Sequence, residues 1–261
     1  MQAVLSLARM SWPDVKAALP RVEVAVLPTG STEQHGPAMA LATDTAIAYG
    51  LAERLAARLH PRALLLPPLP FGVSPHHMSF PGTLTLTAET FQAVVFEVIR
   101  SLQAHGLKRV LIVNGHGGNQ TSLNLAVTKA QHTLGMKAAV MFWLDLVDDV
   151  IRQHVTSERY GHACEVETSL AWFLNPELVQ VQSLAAGQMT AYSAKYTDRR
   201  VRSDFGVPFM WEELTTNGAL GDARKASVEL GAILCDAILE RTVTFLRDFL
   251  TETTGPSNTI G

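Results

Sequence analysis

The stretch RVLIVNGHGGN, residues 109–119, joins a short apolar, β-branched run to a glycine-rich turn. The run RVLIV has the length and composition of a strand that is buried on both faces of a parallel sheet. Residues 120–134, which follow the turn, have a pattern that predicts a helix. A buried strand, a turn and a helix in this order are typical of an α/β fold, in which ligands bind where the strands end.

The alternation of strands and helices continues on both sides of this stretch. Strands are predicted at residues 22–27, 63–66, 109–113 and 137–142, and helices at 44–59, 88–105, 120–134, 165–174 and 222–250. We expect Thr87 to cap the second helix, and Asn175 with Pro176 to end the fourth. The pattern predicts an α/β fold of the layered-sandwich type, with a mainly parallel central sheet flanked by helices. Residues 1–251 are expected to form a single domain and 252–261 a disordered tail, while 180–217 have weak periodicity.

Composition and charge limit the possible partners. The chain has 261 residues, is 47% hydrophobic and carries a formal net charge of −3, which gives no reason to expect nucleic acid or an anionic membrane as a partner. No apolar run is long enough to predict a membrane span, and the N-terminus lacks the pattern of a signal peptide. With its two distant cysteines, Cys164 and Cys235, the chain is expected to be a reduced cytoplasmic protein.

The loop after the first predicted strand carries Glu33, His35 and Asp44. In an extended segment residues i and i+2 point the same way, so Glu33 and His35 are able to face one site. Two carboxylates and an imidazole are a reasonable ligand set for Zn, Mn or Fe. A capping role for Asp44 at the start of its helix, and a solvated loop pair for Glu33 and His35, are the competing interpretations.

His116 lies among the glycines of the turn at residues 114–119. The glycines allow the backbone to approach a ligand closely, so we interpret His116 as a site residue. A tight strand-to-helix turn without a function is one alternative, and a phosphate-binding turn is another. The second is disfavoured because the turn has neither a Walker lysine nor a G-x-G-x-x-G spacing.

Two further segments carry ionisable side chains. In GHACEVETS, residues 161–169, the helical positions of Glu165 and Glu167 point about 200° apart, so we expect them not to share one site. Cys164, which directly precedes Glu165, is expected to be buried and inert. In FGVSPHHMSFPGTLTLT, residues 71–87, His76 and His77 indicate either a loop that closes over substrate or a plain surface loop with an edge strand at 83–87.

Together these motifs resemble the creatininase (creatinine amidohydrolase) family. The resemblance runs from about Val24 to Gly231 and is carried by GSTEQHGP at 30–37, HHMSFPGTLTLT at 76–87, NGHGGN at 114–119, HACEVETS at 162–169 and NGALGDARKAS at 217–227. It implies a single α/β domain that assembles as a homohexamer and binds one or two divalent metal ions near the strand ends.

The resemblance also implies roles for individual residues. Glu33, Asp44 and His116 match ligands of one metal, and His35 matches a ligand of a second metal that Asp44 bridges. His162 and Glu167 match acid/base or binding positions. The substrate-binding residues are expected to be Ser74, His77 and Gly117.

The chain departs from the family at one place. Creatininases proper have His-Tyr-Glu where this chain has His116, Gly117 and Gly118. The Tyr contacts substrate and the Glu binds the second metal. We therefore expect the second metal either to be held by another residue, for which Glu167 is the candidate, or to be weakly bound or absent, and creatinine to fit poorly as a substrate.

The predicted function is hydrolysis of a C–N bond in a small amide, cyclic amide or formamide by metal-activated water, with His162 as general acid and the amides of residues 115–118 holding the oxyanion. One alternative is a hydrolase of the same scaffold that acts on a cyclic ketone or a sugar-derived substrate. The other is a non-catalytic protein that binds a metal or ligand.

Overall fold

The computed structural model describes residues 3–191 and 208–251. Within them, five strands form one sheet in the order β1-β3-β2-β4-β5, and all neighbouring strands are parallel. The strands are β1 (Leu5–Ser6), β2 (Val24–Thr29), β3 (Ala63–Leu65), β4 (Arg109–Asn114) and β5 (Lys137–Phe142). The predicted parallel α/β fold is confirmed; the predicted tail at 252–261 lies outside the described residues.

Helices follow most of the strands. They are α1 (Trp12–Ala18), α2 (Thr43–Arg58), α3 (Ala88–Ala104), α4 (Gln120–Leu134), α5 (Trp143–Leu146), α6 (Asp148–His154), α7 (Glu165–Leu174), α8 (Trp211–Leu214) and α9 (Val228–Thr251). Thr87 caps α3 as predicted, since its hydroxyl accepts a hydrogen bond from the backbone N–H of Thr90. Asn175 ends α7, also as predicted.

Both faces of the sheet are covered by helices. In β2, Val24 and Val26 pack in one apolar cluster with the buried stripe of α2 and with α7 and α9. Ala25 and Leu27 point to the other face and pack in a second cluster with α3 and α4. Because successive side chains of a strand alternate between faces, a strand between two helical layers must be apolar throughout, and every residue of β2 is buried.

The structure differs from the sequence prediction at several element ends. Strand β2 continues through Pro28 to Thr29 instead of ending at residue 27. Strand β1 and helices α1, α5 and α6 were not predicted, because each is too short to show a clear period. Residues 83–87 form no strand; Leu84 and Thr85 make single bridges to other loops.

The last helix begins at Val228 and not near residue 222. Asp222 caps a short 3₁₀ turn at Ala223–Lys225, and Ala226 then adopts an extended conformation that interrupts the helical path. The hydroxyl of Ser227 accepts a hydrogen bond from Leu230 N–H at 3.1 Å and so caps α9. In the described part of the chain, no helix is both long and apolar enough to cross a membrane.

The carboxyl ends of β2 and β4 lie side by side. Thr29 pairs with Asn114 in the parallel register, so the loops that follow the two strands leave from the same edge of the sheet. These loops carry Glu33 and His116. Topology therefore brings together two segments that are more than 80 positions apart in the sequence.

Candidate metal centre

Six ionisable residues meet at this edge of the sheet. The loop after β2 supplies Glu33 and His35, the start of α2 supplies Asp44, the turn after β4 supplies His116, and the start of α7 supplies Glu167 with the preceding His162. All six are buried. They were predicted from sequence as site residues, and the structure brings them into one cluster.

The carboxylates of Glu33 and Asp44 lack hydrogen-bond partners that would satisfy them. Among the described residues, both Oε atoms of Glu33 and Oδ2 of Asp44 are buried without a hydrogen bond. Leaving such charged oxygens buried and unpaired is costly, so they need a positive partner. Asp44 is the second residue of α2 and makes no cap bond there, so its carboxylate serves the cluster and not the helix end.

Three histidines face these carboxylates in the same way. One ring nitrogen lies near a backbone carbonyl: Nδ1 of His35 is 3.1 Å from Glu33 O, Nε2 of His116 is 3.1 Å from Val73 O, and Nε2 of His162 is 2.7 Å from Gln34 O. A carbonyl can only accept, so each of these nitrogens donates, and the other nitrogen is left to face the cluster. This outer bond is how proteins orient metal-binding histidines.

The inner nitrogens lie close to the carboxylates. His35 Nε2 is 3.0 Å from Asp44 Oδ1 and 3.7 Å from Glu167 Oε1. His116 Nδ1 is 3.2 Å from both Glu33 Oε1 and Asp44 Oδ2. Among the described residues, the donor atoms of three overlapping triads lie within 4.8 Å of one another inside each triad: Glu33–His35–Asp44, His35–His162–Glu167 and Glu33–His77–His162. Mixed nitrogen and oxygen donors at this separation fit one or two divalent cations.

The electrostatics of the cluster show which groups hold protons in the absence of a cation. Burial opposes charging of His116, but Glu33 and Asp44 outweigh it and raise the pKa of His116 to about 10. Asp44 and Glu167 likewise raise the pKa of His35 well above its usual value, although burial works against them. The protons on these two histidines supply the positive charge that a cation would otherwise supply. A bound metal ion would displace these protons.

His162 behaves differently. Burial, together with the neighbouring His35, lowers the pKa of His162 to about 4, so the ring is neutral at physiological pH. The predicted role of general acid therefore requires that His162 first accepts a proton. A neutral His162 is instead an acceptor through Nδ1, which lies 3.8 Å from Glu167 Oε2 and 4.0 Å from Glu33 Oε1.

The two glutamates of α7 have separate surroundings, as their angular positions predicted. The Glu165 carboxylate accepts hydrogen bonds from Ser157 N–H at 3.0 Å and from the Ser157 hydroxyl, away from the cluster. Glu167 Oε2 accepts from Ala163 N–H at 2.6 Å, which leaves Oε1 directed at His35. Glu167 is the member that faces the site.

Gly118 has no room for a side chain. A Cβ at this position would overlap the backbone carbonyl of Val73 and Nε2 of His116. A glutamate here, as in creatininases proper, would therefore require the backbone to move. Gly117 is different, because its nearest neighbour, the ring of Phe142, would lie 3.7 Å from a Cβ.

The residues predicted to bind substrate lie in different places. Gly117 lines the cavity described below. Ser74 is fully buried behind His116, with its hydroxyl 3.0 Å from His116 Nε2, and it does not reach the cavity wall. Its expected contact with substrate stays a prediction, and in the structure its hydroxyl contacts His116. His77 lines the cavity but is buried, and its Nε2 lies 3.3 Å from Glu33 Oε1.

A cavity of about 590 Å³ opens on the cluster. Glu33, Asp44, His116, His162 and Glu167 form its polar end. Its other walls are mainly apolar, and they are formed by side chains that include Phe142, Leu144, Phe209, Met210, Trp211 and Leu220. Trp211 could not be placed at this cavity from sequence, because an isolated tryptophan in a segment of weak periodicity carries no signal of a cavity wall.

Comparisons with known proteins agree with this arrangement. The family model for creatininase, described as creatinine amidohydrolase, matches residues 8–246. The mycofactocin precursor peptide peptidase of Mycobacterium ulcerans is 34% identical over 187 residues, which are 68% of this chain and 64% of that protein. The creatinine amidohydrolase of Pseudomonas putida is 30% identical over 199 residues, covering 69% and 76% of the two chains.

A solved structure supports the same assignment. A creatininase mutant described as the Zn-Zn type superposes with a TM-score of 0.80 at 25% identity, and the match covers 96% of this chain and all (100%) of that one. The family model spans nearly the whole chain, and the fold and the clustered side chains are consistent with it. The chain belongs to the creatininase family of hydrolases.

Proposed function

We propose that this chain is a metal-dependent hydrolase that cleaves the C–N bond of an amide, a cyclic amide or a formamide. The observation that carries the proposal is the set of buried carboxylate oxygens of Glu33 and Asp44, which face histidine nitrogens and have no hydrogen-bond partner. A cluster of this kind has a physical reason to exist when it binds a cation.

Two cations would share the carboxylate of Asp44. Glu33, Asp44 and His116 would hold the first ion, and His35, Asp44 and Glu167 the second. In this arrangement Glu167 replaces the glutamate for which Gly118 leaves no space. The mixed donor set is suited to Zn, Mn or Fe, and the similar creatininase of the Zn-Zn type supports occupancy by two ions.

When bound, a divalent cation lowers the pKa of coordinated water towards ~7 and polarises the substrate carbonyl. Other groups of the chain would then hold the negative oxygen of the reacting amide. Gly115 N–H already donates to Thr29 O at 2.8 Å, and His116 N–H to Asn114 Oδ1 at 3.2 Å. This leaves Gly117 and Gly118 as the candidate oxyanion donors of this turn.

His162 would move the proton. Its ring is neutral, its Nε2 is committed to Gln34 O, and its Nδ1 faces the cluster. We assign it to accept a proton from the attacking water and to deliver that proton to the leaving nitrogen. Its order of action is thus base first and acid second, because a pKa of about 4 keeps it unprotonated at the start.

A second role for His162 is favoured by one observation. One of its ring nitrogens lies within 4.8 Å of donor atoms of His35 and Glu167, a separation that would allow the three residues to share an ion. Replacing His162 by Gln separates the two roles. If His162 carries the proton, the variant keeps its cation content while turnover falls. If His162 is a ligand, both cation content and turnover fall.

The cavity walls bear on the substrate. Aromatic and aliphatic side chains surround the space next to the cluster, which favours an amide with an apolar neighbouring group over a sugar-derived substrate rich in hydroxyls. A short peptide with an apolar residue at the cleaved bond fits this description, and one similar protein is named as a peptide peptidase. The retained ionisable groups favour catalysis over simple metal storage.

The test combines cation content with hydrolysis. Protein purified without added metal is analysed by mass spectrometry, stripped with a chelator and reloaded with Zn²⁺, Mn²⁺ or Fe²⁺. Each form is then assayed against apolar dipeptides, lactams, formamides and cyclic ketones. We expect amide hydrolysis that is lost on chelation and restored by one ion. Full activity after complete metal removal would exclude the mechanism.

Two further expectations extend beyond the site. The family resemblance supports assembly as a homohexamer, for which light scattering of the purified protein is the direct test. A cytoplasmic location is proposed from the sequence, and fractionation of cells that express the full chain tests it.

A further inference from the structure

Gln34 lies between two candidate ligands in the sequence, and its buried side-chain amide has partners at both ends. Its Oε1 accepts from Gly36 N–H at 2.9 Å, and its Nε2 donates to Gly218 O at 3.1 Å. Since only the oxygen of an amide can serve an N–H group and only the nitrogen can serve a carbonyl, these two partners fix which way the amide points.

The orientation of this amide determines the proton position on His77. With one amide hydrogen used on Gly218 O, the other is directed at Nδ1 of His77, 3.0 Å away. An imidazole nitrogen that accepts a hydrogen bond carries no proton, so the ring proton of His77 is on Nε2. That atom lies 3.3 Å from Glu33 Oε1, and the N–H therefore points towards a candidate metal ligand.

The backbone of the same residue acts on His162. The carbonyl oxygen of Gln34 lies 2.7 Å from His162 Nε2, which must donate to it. The amide Nε2 of Gln34 is also 3.2 Å from this ring nitrogen, but both amide hydrogens are already directed elsewhere. His162 Nδ1 consequently keeps its lone pair, which faces Glu167 and Glu33.

A glycine from a distant segment makes space for the amide. Gly218 has φ +84°, and a Cβ there would overlap the Gln34 side chain. Its carbonyl also accepts a hydrogen bond from Trp211 Nε1 at 2.8 Å. These contacts give a physical role to Gly218, which the catalytic proposal does not otherwise use.

We propose that Gln34 is a positioning residue that sets the tautomers of two histidines. Its side chain keeps the proton of His77 on Nε2, facing Glu33, and its carbonyl keeps His162 Nδ1 free as a lone-pair donor. The consequence for cation binding rests on the proposed metal centre, whereas the tautomers themselves do not. Residues that orient the side chains around a metal ion by hydrogen bonds typically contribute 10- to 100-fold to metal affinity.

The test is made on chelator-treated protein labelled with ¹⁵N-histidine. Magic-angle-spinning NMR distinguishes protonated from unprotonated ring nitrogens, and His77→Gln and His162→Gln variants assign the two rings. Gln34→Glu replaces the amide donor with an isosteric acceptor, and Gln34→Met removes both functions should the charged variant fail to fold. Gln103→Glu, on the exposed face of α3, is the matched control.

In the parent protein we expect both rings to be protonated on Nε2 alone. Gln34→Glu is expected to place a proton on Nδ1 of His77 while the His162 pattern persists, because the backbone carbonyl remains. Gln34→Met is expected to give a mixture of His77 tautomers. Zn²⁺ affinity, measured by competition with a chromophoric chelator, should fall 10- to 100-fold in both variants and stay unchanged in the control.

The proposal is overturned if His77 of the parent protein is protonated on Nδ1, or if its pattern is the same in the parent and in both Gln34 variants. Because the NMR measurement needs neither metal nor substrate, it can succeed where the hydrolase assay fails. Correct tautomers without amide hydrolysis would uphold the role of Gln34 and reject the proposed reaction.

Discussion

Gly118 lies so close to the ring of His116 that no side chain fits between them. A Cβ on Gly118 would overlap His116 Nε2 and also the Val73 carbonyl, the acceptor that orients this ring. His116, a candidate metal ligand, can therefore occupy its position only because residue 118 has no side chain. It also explains why a glutamate ligand at this position is incompatible with the present backbone.

Gly118→Ala should therefore displace His116 or the loop that contains Val73. We expect a loss of stability of about 1–3 kcal/mol, as for other overpacked sites, and a cation affinity at least ~10-fold lower. Gly117→Ala is the matched control, because its Cβ would lie 3.7 Å from the nearest atom, on Phe142. Thermal unfolding and Zn²⁺ titration of both variants provide the measurement. Equal behaviour of the two would contradict the steric argument.

His116→Ala should abolish cation retention and turnover together. The substitution removes the nitrogen that lies 3.2 Å from both Glu33 and Asp44, and it leaves their carboxylates to repel each other without a ligand between them. We expect less than about a tenth of the parental metal content by mass spectrometry. His105→Ala, at the exposed end of α3, is the control. Metal content at the parental level in His116→Ala would reject this residue as a ligand.

The metal-free protein should lose stability as the pH rises from about 6.5 to about 10. The pKa of His116 is raised to about 10 in the folded protein, and that of His35 is also raised. A histidine whose pKa is higher in the folded than in the unfolded protein stabilises the folded state. This stabilisation is complete below the histidine's pKa in the unfolded protein, about 6.5, and is lost as the pH rises through its pKa in the folded protein. The histidines with lowered pKa values, such as His162, are neutral in both states above about pH 7.5, so they do not contribute to the loss over most of this range.

Urea unfolding of chelator-treated protein at several pH values between 6.5 and 10 measures this dependence. The same protonation predicts that cation binding at pH 8 releases protons from His35 and His116, which calorimetry detects as a heat that varies with the ionisation enthalpy of the buffer. Stability that is constant or increases over this range would show that the two histidines are not held protonated by Asp44, Glu33 and Glu167.

Glu165→Gln and Glu167→Gln form a pair with opposite expected effects. Glu165 accepts hydrogen bonds from Ser157, so its replacement should cost about 1–3 kcal/mol of stability with turnover nearly unchanged. Glu167 faces His35 and His162, so its replacement should leave the fold intact and reduce turnover about 100-fold or more. Denaturant unfolding and steady-state kinetics on both variants decide. A reversed pattern would place Glu165 in the site.

Much of this architecture could be predicted from local sequence. The β2 and β4 strands are continuous apolar runs because helices cover both faces of the sheet, and burial of this kind leaves a direct trace in composition. The polar loops that follow them had to meet at one edge, since parallel strands end on the same side. The same reasoning identified Glu33, His35 and His116, and the angular separation of Glu165 and Glu167 on a helix correctly predicted that they do not share one site.

Other features depend on contacts between distant segments, which no local pattern records. The loop that carries Ser74, for example, folds behind His116 and places the Ser74 hydroxyl 3.0 Å from His116 Nε2. The charge and the tautomer of His162 are likewise set by distant residues. Burial beside His35 keeps the ring neutral, and the carbonyl of Gln34, 128 positions away, fixes the tautomer. The sequence by itself determined which chemical groups are available and which strand ends they follow. Only the tertiary structure decided which atom of each group faces the cluster, because orientation and protonation are set by neighbours that folding brings together.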